Sequence, residues 1–369
     1  MSFEIPHSIL ACNDEHLVKE FLANIWGKRP TFVCTIGNTE TGKIPGLSAA
    51  GAVPAITDLT PAADIELLHH GRCYCIDGVP VTPNGIPTPG LITMSAIALS
   101  KMPFFCLNGG VRVKPKTPYI DVGGLPGEDI RTGKAVQDPK KVFELALLAG
   151  ENLGKTSEYL VVGESIAGGT TTALAVLMAM GYDAENKISS SMPDNPHAQK
   201  IAISREGIAK SGFSAAEMKA DSMKAVAAVG DPMMPAAAGM IAGAARHVPV
   251  IMAGGTQMAA VLAIVKNMEP KALPNLALGT TKWIANDKSS DIRSLVAQSG
   301  KVPIMAANLD FGKSKFPGLA IYETGLVKEG VGAGGSAIAA IAYSKGKIGT
   351  TELMAQIEID YARLVPPKR

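Results

Sequence analysis

Residues Glu158–Gly181 read EYLVVGESIAGGTTTALAVLMAMG. The first part, apolar through Val162, suits a strand buried on both faces. Gly163-Glu164-Ser165-Ile166-Ala167-Gly168-Gly169-Thr170-Thr171-Thr172 makes a small, polar turn, and an almost wholly apolar helix follows. Glycine lets backbone approach an anion closely, and helix-start amides with the helix dipole favour a phosphate. The other reading is a tight strand-to-helix turn with the threonines as caps. No lysine follows the glycines, so this is not a Walker loop.

The same plan recurs along the chain. TFVCTIG (31–37), PFFCLNGG (103–110), VPVIMAGG (248–255), NLALGTT (275–281) and VPIMAAN (302–308) are short apolar runs ending in small residues. With EYLVVGES (158–165) they predict a doubly wound, mostly parallel α/β sheet, with ligands bound beyond the carboxyl ends of its strands. Ala253-Gly254-Gly255-Thr256-Gln257 and Gly279-Thr280-Thr281-Lys282 place further hydroxyls and a cation at strand ends, as parts of one polar crevice.

The termini differ. Residues 8–26 and 350–364 carry helical apolar spacing. Thr350 or Thr351 is expected to cap the last helix, with Glu352 in its first turn. The expected division is a large α/β domain over 28–344 and a small helical domain from 1–27 plus 345–369. The Pro- and Gly-rich stretch 76–90 reads as a long loop belonging to a site.

Composition narrows the class. Of 369 residues, 47% are apolar and 18% charged, which excludes a disordered chain. A net charge of +2 without a basic run offers nucleic acid no footprint. The start lacks a signal peptide, no apolar run suffices to span a bilayer, and five dispersed cysteines are no disulfide framework. A soluble, cytoplasmic protein is expected.

Three further segments bear on chemistry. Glu329 stands beside the glycines of Lys328-Glu329-Gly330-Val331-Gly332-Ala333-Gly334-Gly335-Ser336. Poor solvation there raises a carboxyl toward the range of a general base, whereas an exposed loop leaves it ordinary. Gly332–Ala337 also fits a dinucleotide fingerprint, with Glu352 near the distance of a ribose-binding acid, but YETGLVKE ahead of it is no strand. His69-His70-Gly71-Arg72-Cys73-Tyr74-Cys75 reads either as metal ligands or as a helix end followed by a short strand.

Taken in order, these segments resemble the nicotinate-nucleotide–dimethylbenzimidazole phosphoribosyltransferases. That family's phosphate loop reads roughly G-E-M-G-I-G-N-T-T, and Gly163–Thr171 reads GESIAGGTT. Its late G-E-G-S-G-A is similar to Glu329–Ala333, with Lys328 where the first glycine stands. His197-Ala198-Gln199-Lys200-Ile201-Ala202 resembles its lysine segment, and AVQDPKKVFELALLAG (135–150) its helix ahead of the phosphate loop. GDPMMPAAAGMIAGAARHVPVIMAGG (230–255) resembles its apolar helix and strand, without the usual Asp-Gly; Gly37-Asn38-Thr39 stands where it has Gly-Asp-His. The likeness runs from about Thr31 to Ala342 and describes a divergent branch.

The resemblance implies phosphoribosyl transfer from nicotinate mononucleotide to a benzimidazole or purine-type base, giving an α-nucleotide for the lower ligand of cobamides. It implies Glu329 as the catalytic base. The phosphate and nucleotide contacts it implies, with the reading above, are Glu164, Ser165, Gly168, Gly169, Thr170, Thr171, Lys200, Thr280, Thr281, Gly330 and Gly332. Asn38 and Thr39 are assigned to the base, Lys200 to the 5′-phosphate, and Glu164 to charge developing on the ribose. No metal or cofactor is expected. The family forms homodimers, and the all-round apolar helices TTALAVLMAM and AAAGMIAGAA need a cover, so a homodimer is expected. The rival expectations are a non-catalytic nucleotide-binding protein and, more remotely, a dehydrogenase.

Overall fold

A computed structural model describes residues 3–48, 54–81, 86–192 and 194–365. Residues 82–85, in the middle of the 76–90 loop, lie outside the described residues. All six expected strands form: β2 (Pro30–Gly37), β3 (Phe104–Gly110), β5 (Tyr159–Ser165), β6 (Val250–Ala253), β7 (Leu276–Thr281) and β8 (Ile304–Ala307). With β1 (Ile9–Ala11) and β4 (Ile120–Asp121) they make an eight-stranded sheet ordered β1-β8-β7-β6-β5-β2-β3-β4. Every pairing is parallel except β1 against β8. The chain turns back on itself between β2 and β5, the switch point at which such sheets bind ligands.

Helices cover both faces, which is why the strands read as unbroken apolar runs. Along β5, Leu160 and Val162 enter one apolar layer while Tyr159 and Val161 enter the other. The helix Met233–Ala244 is buried along its whole length. Its Gly239 and Gly243 lie against the carbonyls of Phe143 and Leu147 on the helix Pro139–Thr156, so close that a methyl group would collide. The helix Gly169–Ala179 is likewise buried within the chain. Both helices find their cover intramolecularly, so their apolarity gives no ground for a dimer.

The N-terminal reading needs correction. Residues 9–11 are not helical but form the antiparallel edge strand β1. Asn13 fixes this segment by donating to Val302 O at 2.8 Å and accepting from Ile304 N at 2.9 Å. Asp14 then starts the helix Glu15–Ile25 by accepting the amides of His16 and Leu17. At the other end Gly349, not a threonine, holds the cap position, and Glu352 accepts its amide at 2.8 Å. Val18, Leu22 and Ile25 join Leu353, Ile357 and Tyr361 in the apolar layer that holds Phe32 and Tyr159 of the sheet. The segments assigned to a small domain thus share their core with the large one.

Candidate active site

A cavity of about 640 Å³ opens beyond the carboxyl ends of β5 and β6, with Thr280 and Thr281 at the end of β7 outside its lining. Its walls come from the turn after β5, Gly255–Gln257, Ser189–Ser191, residues 327–331, the helix Thr60–His70 and the loop around 74–89. Among the described residues, no helix is long and apolar enough to cross a membrane.

At the end of β5 the chain passes Glu164 and Ser165 and turns through Gly168 at φ 81°, where the helix Gly169–Ala179 begins without a side-chain cap. Gly168 must be glycine: a Cβ would lie 2.6 Å from Gly42 Cα. The three threonines divide their work. Thr170 lines the cavity, and Thr172 donates to Asp231 at 2.5 Å. The Thr171 hydroxyl is buried without a partner among the described residues. Asp231 in turn accepts the amides of Met233 and Met234, so part of this polar run serves helix packing.

Glu329 stands at the cavity wall. Its two oxygens take the Gly334 amide at 3.1 and 3.3 Å, and Thr280 donates to Oε2 at 3.4 Å. Burial raises its carboxyl to about 7 against the pull of these donors. Val331 N donates to Glu164 O at 2.9 Å, tying the two loops together. Glu164 is pushed to about 8, first by burial and then by the carboxyls of Asp231, Glu329 and Asp64. Gln257 donates to its Oε1 at 3.3 Å.

Several expected residues lie elsewhere. Lys200 is fully buried and does not line the cavity; it donates to Ser189 O at 2.8 Å and Asn195 Oδ1 at 3.3 Å. Burial and the neighbouring Lys328 lower its ammonium to about 7. The cation on the wall is Lys328, paired with Asp287 at 2.8 Å and donating to Ser190 O at 3.2 Å. Asn38 accepts the Arg112 amide at 2.9 Å and Thr39 donates to Glu128 O at 3.1 Å, both away from the cavity. Thr281 donates to Lys328 O at 2.6 Å and supports the Glu329 loop from behind. Lys282 pairs with Asp310 and Glu323 outside the crevice. Gly330 lines the cavity, whereas Gly332 packs on Gly163 and Phe32.

The other motifs also find structural work. Gly334 and Gly335 let the helix Ala333–Tyr343 lie directly on Thr280 and Ala253, and no strand precedes them. His69 packs on Phe104 with the rings tilted by 39°, while Cys73 and Cys75 donate to Ala63 O and Leu59 O. Burial pushes both thiols to about 12. The carboxylate of Glu66 gathers the amides of Tyr74, Cys75 and Lys116. Asp64 was missed by sequence reasoning. Its only signal is an acid within the apolar run AADIELL, and in the fold it lines the cavity at 2% exposure.

A buried carboxyl raised toward neutrality and a helix N-terminus thus line one cavity, the arrangement of a candidate active site. A phosphoribosyltransferase family model matches residues 126–290. The chain is 45% identical over 335 residues to a UPF0284 protein of Sulfolobus acidocaldarius, covering 90% of this chain and 95% of that one. With a UPF0284 protein of Methanothermobacter thermautotrophicus it shares 42% over 327 residues, 88% and 90% of the two chains. Its fold is that of CobT from Thermus thermophilus (TM-score 0.56, 17% identity, 89% of each chain). A second structure from that organism, titled as a nicotinate-nucleotide–dimethylbenzimidazole phosphoribosyltransferase, superposes with TM-score 0.56 at 16% identity over 96% and 92%. The chain belongs to the UPF0284 family, a branch whose central part matches the phosphoribosyltransferase family model and whose fold is that of CobT.

Proposed function

We propose that the protein transfers the phosphoribosyl group of nicotinate mononucleotide to a ring nitrogen of a benzimidazole or purine-type base. The observation carrying this reading is Glu329: a carboxyl titrating at about 7 on the wall of the cavity that the Gly168–Thr170 turn also lines.

The nicotinate ring nitrogen is cationic in the mononucleotide, so nicotinate departs with the bonding electron pair and needs no acid. The incoming nitrogen forms the new bond to the ribose carbon on the opposite face, and its proton passes to Glu329. One base therefore suffices. Attack from that face turns a β-nucleotide into an α-nucleotide. The helix-start amides at Gly169 and Thr170 receive the 5′-phosphate, with Lys328 as the nearby cation. Near neutral pH Glu164 keeps its proton, so the negative charge relieving the ribose comes from Glu329, and Glu164 presents a hydroxyl.

Incubation with nicotinate mononucleotide and a panel of azoles and purines tests the reading. Free nicotinate should appear with at least one base, and none with any base contradicts it. The family resemblance also supports a two-fold dimer, for which light scattering should give twice the chain mass.

A further inference from the structure

The cavity wall beside Glu329 presents hydroxyl groups whose protons are already committed. Ser165 donates to Asp64 Oδ2 at 2.7 Å, and Thr88 donates to Asp64 Oδ1 at 2.8 Å. Thr88 also accepts the Gly90 amide at 3.1 Å. All three side chains line the cavity; Asp64 and Ser165 are buried at 2% and 5% exposure. A hydroxyl whose single proton is held by a carboxylate can meet a ligand only as an acceptor. Hydrogen bonds in a buried site of this kind are unforgiving, because a ligand that lacks the partner leaves the acceptor unpaired.

The position of this wall says which part of the substrate it meets. Pro89, next to Thr88 in the chain, lies against the Glu329 loop: a Cβ on Gly330 would sit 3.5 Å from Pro89 Cγ. The phosphate-type turn at Gly168 instead packs on Gly42. Ser165 follows Glu164, whose carbonyl accepts the Val331 amide of the Glu329 loop at 2.9 Å, so the committed hydroxyls line the cavity beside the loop whose acid takes the incoming base's proton. Apolar side chains there, including Ile86 and Val331, suit the rest of an aromatic ring.

We propose that Asp64, acting through Ser165 and Thr88, selects acceptor bases that carry a hydrogen-bond donor substituent, an amino or hydroxyl group, besides the ring N–H. The inference rests on the transferase reading of the cavity and names the base class it takes. Asp64 is a specificity residue rather than a catalytic one. Exchanging it for an amide reverses the polarity on one side: Asn donates to one of the two hydroxyls, whose own proton is then free to meet a ligand acceptor, and accepts from the other.

Adenine and purine differ only by an exocyclic amine, and titration calorimetry of each against the protein tests the idea without requiring turnover. Wild type should bind adenine at least about tenfold more tightly than purine. Ser165→Ala should bring the two within about twofold, and Asp64→Asn should remove or invert the preference. If Asp64→Asn unfolds, Ser165→Ala, which only removes a hydroxyl, still decides. Equal binding of adenine and purine by wild type, or binding of neither, overturns the proposal. An unchanged ratio in Ser165→Ala also overturns it. So does a ratio unchanged while the Kd for nicotinate mononucleotide rises, because the donor met by Ser165 then lies on the ribose. Absence of nicotinate release with every base overturns the transferase reading instead and leaves the binding ratio readable.

Discussion

Both carboxylate oxygens of Glu329 lie within hydrogen-bonding distance of one backbone amide, that of Gly334, at 3.1 and 3.3 Å. The acid is thereby pinned by the first turn of the helix that follows it, and Thr280 from β7 adds a side-chain donor. Its oxygens are held in place before any substrate arrives, as a positioned base requires.

The neighbouring acid gives a prediction about stability. Glu164 titrates at about 8 in the folded chain against an ordinary value of 4.5. The native state holds a proton that the unfolded chain releases. Its contribution is therefore fully present below pH 4.5 and is lost as pH rises through about 8. Glu164→Gln, which cannot ionise, should raise Tm at pH 9 by at least about 2 °C and leave it nearly unchanged at pH 5. Calorimetric scans at both values check this, and an equal effect at the two is the contrary outcome.

The turn at Gly168 makes a second test. Ligands that bind only the native state raise its stability, by about 2.7 kcal/mol at one hundred times Kd. Inorganic phosphate and nicotinate mononucleotide should each raise Tm of the wild type. In Gly168→Val a β-branched side chain meets both φ 81° and the Gly42 backbone, which costs about 1–3 kcal/mol and displaces the turn. The ligand-induced shift should vanish, and its persistence would place the anion elsewhere.

Lys328 and Asp287 form a buried pair, at 7% and 6% side-chain exposure. Removing the cation leaves the buried carboxylate with the neutral donors of Ser289 and Ser290 but no counter-charge from Lys328, so Lys328→Met should cost about 3–5 kcal/mol in urea unfolding. Adding Asp287→Asn should recover most of that loss. Losses that simply add in the double variant contradict the coupling.

How far the sequence carries is visible in particular residues. The six long strands are legible because a parallel strand covered on both faces must be apolar throughout, as Leu160 and Val161 are to opposite layers. β1 and β4 span three and two residues and owe their pairing to distant partners, so no local pattern announces them. Glycines around Gly168 and Gly330 are legible because positive φ and close approach restrict the choice of residue. Asp64 is not, since its meaning arises only when Ser165, 101 residues away, meets it. Lys200 misleads for a related reason: its helix tells nothing of whether the ammonium faces the cavity or the carbonyl of Ser189 behind it.

Turnover of a Glu329→Gln variant across pH tests the central claim most directly. The amide keeps the size of the side chain and accepts no proton. Nicotinate release from nicotinate mononucleotide should fall by about 10²–10⁴-fold, while mononucleotide binding stays nearly unchanged. The wild-type rate should rise with pH through about 7 as Glu329 loses its proton, then level off, and the variant should lack that rise. Equal rates and matching pH profiles for the two proteins would contradict the assignment of Glu329 as the base.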